Sequence, residues 1–180
     1  MCIRDRSVAA AIRGQLTVNG AVQAYPDGAV LLSPTFIVDG TFALRARAAL
    51  YYAAQRIVLL DPAADPAALR EKGVRFESPK VVVAASLCER LLPLLDDQAE
   101  IAVVEDGTAF VADDTELDDA VLRRYGTRLY VNGDLTAGPD AAALLPRVEY
   151  LRVNGDVWLP PALFEPFAAV DATYGALRRL

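Results

Sequence analysis

The chain has 180 residues, 54% apolar and 23% charged, with a formal net charge of −6 at neutral pH and no histidine. That supplies enough apolar material for a packed domain and is too acidic for a surface built to neutralise nucleic-acid phosphates. The missing histidine removes Ser–His and Cys–His pairs and histidine metal ligands, and no apolar run approaches the ~18 residues of a membrane span.

Taken from the N-terminus, the chain repeats one phrase. It reads Leu16-Thr17-Val18-Asn19-Gly20, then Phe36-Ile37-Val38-Asp39-Gly40, then more weakly Val103-Val104-Glu105-Asp106-Gly107. It returns as Leu129-Tyr130-Val131-Asn132-Gly133 and Leu151-Arg152-Val153-Asn154-Gly155. An apolar segment closed by Asn-Gly or Asp-Gly predicts a strand followed by a tight turn, where Gly, Asn and Asp tolerate positive φ. Gly20 to Gly40 spans 20 residues and Gly133 to Gly155 spans 22. Between Gly40 and Gly107, drifted copies occur at Ile57-Val58-Leu59-Leu60-Asp61 and Val74-Arg75-Phe76-Glu77-Ser78. The prediction is an α/β repeat solenoid of about seven units of ~22 residues, each strand–turn–strand–helix. Residues 8–180 form its single domain, with the least regular register over residues 56–100.

Helical pieces fall between the phrases. Residues 41–55 and 86–95 predict longer helices, the second ended by Pro93. Asp65-Pro66 reads as an N-cap with Pro in the first turn. Asp113, Asp114, Glu116, Asp118 and Asp119 read as a solvated, dipole-compensating helix start. Arg123 and Arg124 before Gly126 suit a helix C-terminus. One buried column is expected of Val18, Val38, Val104, Val131 and Val153. Gly20, Gly133 and Gly155 should take positive φ or sit where a Cβ would clash.

Chemistry-bearing residues are sparse. Lys72 and Lys80 are the only lysines, and no Gly-rich phosphate loop occurs. Cys88 reads as a packed thiol, because an unpaired cysteine cannot staple a secreted domain. The acidic cluster at 113–119 lacks the spaced ligands of a calcium loop. Asn132, Asp134, Asn154 and Asp156 read as turn formers whose side chains stack between rungs. No catalytic, cofactor or metal residues are therefore assigned, and no nucleic-acid partner or membrane span is expected. A functional surface is expected along a shallow face carrying Tyr130, Tyr150 and Trp158, since aromatics are enriched at binding hot spots.

Two resemblances follow. The units Val148-Glu149-Tyr150-Leu151-Arg152-Val153-Asn154-Gly155-Asp156-Val157 and residues 126–135 resemble bacterial leucine-rich-repeat-like proteins. That resemblance, spanning roughly residues 12–170, implies a non-catalytic scaffold whose stacked repeats bind a protein partner or build structure. Alternatives are a self-assembling solenoid, or a small-ligand, metal or enzyme site on a repeat scaffold. Met1-Cys2-Ile3-Arg4-Asp5-Arg6 resembles a translated sequencing adapter from a metagenomic assembly. Residues 1–7 are accordingly expected to be artefactual or disordered, the native start to be missing, and the protein to be cytoplasmic.

Overall fold

The computed structural model describes Cys2–Ile3 and residues 23–180 as a mixed α/β fold of short strands, paired in parallel, and short helices. The expected first copy of the phrase, with Val18, Asn19 and Gly20, lies outside the described residues. The first elements are β1 (Cys2–Ile3), β2 (Gln23–Ala24), β3 (Val30–Leu31), β4 (Thr35–Ile37) and α1 (Phe42–Arg45). Next are β5 (Leu50–Tyr52), β6 (Arg56–Leu59), α2 (Pro66–Glu71), β7 (Arg75–Glu77), β8 (Lys80–Ala84), α3 (Ala85–Leu91) and β9 (Glu100–Val104). Then follow β10 (Ala109–Val111), β11 (Thr115–Glu116), α4 (Asp119–Tyr125), β12 (Arg128–Val131), β13 (Leu135–Thr136), β14 (Tyr150–Val153) and β15 (Val157–Leu159). The last elements are α5 (Phe164–Ala168), β16 (Ala172–Thr173) and β17 (Leu177–Arg179).

The described residues gather into two compact units. One holds those up to Leu59 with Ala63–Val82 and Cys88–Ala102; the other holds Leu60–Pro62, Val83–Leu87 and Val103–Leu180. Strand pairing is periodic within each. In the first, Val30 lies opposite Tyr51 and Tyr51 opposite Phe76, while Phe36 lies opposite Ile57. Phe42 is the centre of its core, with ring centroids 5.2 Å from Tyr51 and 5.9 Å from Phe76. In the second unit two sheets run β10–β12–β14–β16 and β11–β13–β15–β17. Their registers place Val111, Val131 and Val153 in one row and Leu135, Val157 and Leu177 in another. The core of that unit is Leu129, Val131, Leu135, Leu151, Val157 and Leu159, closed by Leu145, Leu163 and Phe167 from the helical side.

Local chemistry explains several boundaries. The Asp65 carboxylate accepts from the Ala68 N–H, Pro66 occupies the first turn, and α2 begins there. Asp118 caps α4 by accepting from Val121, and Gly126 ends it at φ +85° with Arg123 and Arg124 in the last turn. Pro93 stops α3, which passes into the 3-10 turn Leu92–Leu94.

Other expectations need correction. Residues 41–55 are not one helix: α1 ends at Arg45, Ala46 turns extended, and the apolar, aromatic run Leu50–Tyr52 becomes β5. Thr115–Glu116 is a strand, so the acidic run at 113–119 spans a turn, a strand and a cap before α4 starts at Asp119. The valines are buried but divide between sheets. Val38 donates to the Val58 carbonyl and Val104 ends β9, whereas Val131 and Val153 pair in the β10–β16 sheet.

The reason is a change of phase. The strand before Asp39-Gly40 leads into a helix, while the strands before Asn132-Gly133 and Asn154-Gly155 lead into a second strand. The turn Glu105–Thr108 joins β9 to β10 with no helix between them. The counterpart of Val131-Asn132-Gly133 is therefore Val111-Ala112-Asp113, and not Val104-Glu105-Asp106.

Leu129 is fully buried, so Leu129→Ala should destabilise by about 2–5 kcal/mol. Ile37, half exposed on β4, should tolerate Ile37→Ala within roughly 0.5 kcal/mol. Urea unfolding of both variants checks the placement of the core.

Candidate functional site

The described phrase glycines are required for two different reasons. Gly107 has φ +79°, in a turn where Thr108 donates to the Glu105 carbonyl through both its N–H and its hydroxyl. Gly133 and Gly155 do not have positive φ. A Cβ on Gly133 would lie 2.7 Å from the Asp114 backbone nitrogen, and one on Gly155 would lie 2.6 Å from the Gly133 carbonyl oxygen. Gly40 follows the same rule, with Ala63 Cβ 2.7 Å from where its own would be. Close approach of neighbouring rungs, and not left-handed backbone, requires glycine at these three positions. The turn-conformation expectation is corrected there, and its clash alternative applies.

An aspartate occupies the same place in successive rungs beside that contact. Asp114 Oδ1 accepts from the Asp134 N–H at 2.8 Å, and Asp134 Oδ1 accepts from the Asp156 N–H at 2.9 Å. Asp156 Oδ1 accepts from the Ala176 N–H at 2.8 Å. The second oxygens are also engaged: Asp134 Oδ2 accepts from Trp158 Nε1 at 3.1 Å and Asp156 Oδ2 from Arg178 Nε at 2.9 Å. A shorter asparagine ladder runs beside it. Asn132 Nδ2 donates to the Ala112 carbonyl at 3.0 Å, and Asn154 Nδ2 donates to Asn132 Oδ1 at 3.4 Å. Asp134 and Asp156 were legible as turn residues, whereas Asp114 was read as part of a helix start; the pairing with the next rung's N–H was not legible, because 20 to 22 residues separate the partners.

The remaining phrase residues act locally. Asp39 Oδ1 accepts from the Thr41 N–H at 2.9 Å and hydroxyl at 2.6 Å, and the Thr41 hydroxyl leads in holding its carboxyl below the ordinary value. Asp106 Oδ1 accepts from the Ser86 N–H at 3.0 Å, which lowers its pKa first.

The expected aromatic surface does not form one face. Tyr130 is 1% exposed and stacks on Phe110 at 5.7 Å between centroids. Its other row neighbour is Arg152, whose guanidinium donates to the Val103 carbonyl at 3.0 Å. Tyr150 is half-buried opposite Arg128, and Trp158 is half-buried in the other sheet opposite Thr136. Arg128 pairs with both Glu105 and Glu149, and its pKa is raised first by Glu149.

A groove of about 590 Å³ is bordered by Pro26, Asp27, Tyr52, Glu77, Asp96 and Gln98 in the first unit. Asp27 and Asp96 accept there from the N–H groups of Gly28 and Gln98. Among the described residues no group of three or more Cys, Asp or Glu side chains is placed to hold a metal ion. No helix there is long and apolar enough to cross a membrane. Cys88 is a half-buried free thiol. Compared with protein-family models, curated proteins and solved structures, the sequence and its fold match none.

Two outcomes check the ladder. Gly133→Ala and Gly155→Ala should each destabilise by about 1–3 kcal/mol through backbone overlap. Gly107→Ala should lose about 1–2 kcal/mol through its φ alone. A Gly155→Ala protein that melts like the parent would break the close-approach argument.

The second outcome concerns acid. Asp156 is held below its ordinary 3.8 first by the Arg178 guanidinium, so its contribution is complete above that value and lost as pH falls through the lower folded value. Asp39, Asp106 and Asp119 shift in the same direction. Melting temperature should therefore fall on acidification below 3.8, with a shallower fall in Asp156→Asn.

Proposed function

We propose that the protein is a non-catalytic repeat scaffold, a solenoid of leucine-rich-repeat-like character in one domain, that serves a protein partner or a structural role. The observation carrying this reading is the recurring rung chemistry. Parallel strands meet at offsets of 20 to 22 residues, and at each step a turn aspartate accepts the next rung's N–H. Stacked units of this kind give a rigid, regular surface and little internal machinery. Ionisable groups with shifted pKa values support it, since each is explained by nearby ion-pair partners or turn hydrogen bonds rather than by a buried constellation. The reading includes a cytoplasmic location and no nucleic-acid partner, in keeping with the net charge of −6.

Self-assembly is the second reading. It is favoured by β16 and β17, each at the end of its sheet with one side lacking a strand neighbour among the described residues.

Light scattering over a wide concentration range separates the two. The scaffold reading expects a constant mass and self-assembly a mass rising with concentration. Calorimetric titration with calcium should give no saturable heat. A stoichiometric isotherm would instead make the turn carboxylates ligands and overturn the non-catalytic, metal-free reading.

A further inference from the structure

The contact between rungs at the turn has two halves, and they sit on different rungs. The later rung contributes a residue without a side chain, Gly133 against Asp114 and Gly155 against Gly133. The earlier rung contributes a carboxylate, Asp114 for the Asp134 N–H and Asp134 for the Asp156 N–H. A rung with neighbours on both sides therefore needs the pair Gly-Asp, and both 133–134 and 155–156 have it.

The end rungs of the second unit each carry half of that pair. Val111 lies opposite Val131 and Thr115 opposite Leu135, so Asp113 holds the place of Gly133 and Asp114 that of Asp134. This rung serves the one after it, but a Cβ stands where an earlier backbone would have to pass. At the other end Gly175 keeps the close approach, its Cβ position lying 2.9 Å from the Gly155 carbonyl oxygen. The Ala176 N–H donates to Asp156 Oδ1 at 2.8 Å, yet Ala176 has no carboxylate to offer in turn. We propose that Asp113 and Ala176 decide the association behaviour of these two ends, by keeping a second copy of this chain from continuing the ladder. The proposal rests on the scaffold reading of stacked rungs, and it decides against growth of the stack by copies joined end to end.

Both ends are otherwise suited to such a copy. β11 and β17 are the end strands of one sheet. Asp113 and Asp114 are exposed beside a hollow of about 300 Å³ that Thr115, Val121 and Tyr125 also border. Arg178 and Arg179 are exposed on β17, Arg178 being paired with Asp156. Charge therefore favours the encounter, with Asp113, Asp114 and Glu116 along one edge and the two arginines along the other. Opposite charge and free strand edges are the conditions under which sheets join edge to edge. The turn supplies the obstacle twice. Asp113 would overlap the incoming backbone, and Ala176 would leave the next copy's Asp114 N–H without an acceptor.

The test completes each half in the full chain, with D113G removing the Cβ at one end and A176D adding the carboxylate at the other. Sedimentation velocity follows the mass, and circular dichroism checks that each variant is folded. The parent, D113G and A176D should each keep the monomer mass at every concentration. An equimolar mixture of D113G and A176D should reach twice that mass and stop, because each copy then has one completed end. The double variant D113G/A176D should form a series that lengthens with concentration. D113G mixed with A176L, which adds bulk and no acceptor, should stay monomeric, and A176N supplies a neutral acceptor should A176D not fold. A parent whose mass rises with concentration would overturn the proposal in favour of self-assembly. A folded mixture and a folded double variant that both stay monomeric would overturn it and leave the scaffold reading standing, as would a dimer of D113G with A176L.

Discussion

At the turn of each rung in the second unit, the backbone of one rung comes within contact distance of the next. That closeness makes two demands. The residue at the contact can have no side chain, which places Gly133 and Gly155 where a Cβ would meet Asp114 or Gly133. The N–H that follows must also find an acceptor, because a backbone donor left unpaired costs free energy comparable to a lost hydrogen bond. The carboxylates of Asp114, Asp134 and Asp156 supply it. The rows of the two sheets run in register with these contacts: Leu129 opposite Leu151, Val131 opposite Val153 and Leu135 opposite Val157.

With the turns held in this way, the segments linking one rung to the next are free to vary. α4, the 3-10 turns Pro139–Ala143 and Leu145–Arg147, and the pair Pro161–Leu163 with α5 occupy equivalent places in successive rungs. Each presents one or more apolar residues to the same core, among them Leu122, Leu145, Leu163 and Phe167. Burial of those side chains is the demand the core makes, and several backbone geometries meet it. Part of the acidic composition serves such structural tasks, since carboxylates at 39, 65, 106, 114, 118, 134 and 156 accept from turn or cap N–H groups.

Much of the local structure was readable in the sequence. The Asp65-Pro66 cap, the stop at Pro93 and the Gly126 C-terminus each rest on residues within a few positions of one another. The candidate surface was read less well. Tyr130 alternates with inward residues along β12, which suggested an outward ring, yet Phe110 from the neighbouring strand lies against it and it is buried. Nothing near Tyr130 in the sequence reports a partner that is 20 residues away.

The sequence by itself determined that strands end at Asn-Gly and Asp-Gly, that they recur at nearly constant spacing, and which residues cap the short helices. These follow from backbone sterics and from hydrogen bonds spanning three or four residues. Only the tertiary structure decided why Gly133 and Gly155 are glycines, which oxygens the turn aspartates offer to the next rung, and that Glu105–Thr108 shifts the phase of the repeat. Each of these depends on the distance between rungs, which is set when the apolar rows are buried together. A one-dimensional period records that rungs recur, and carries no information on how closely their backbones pass.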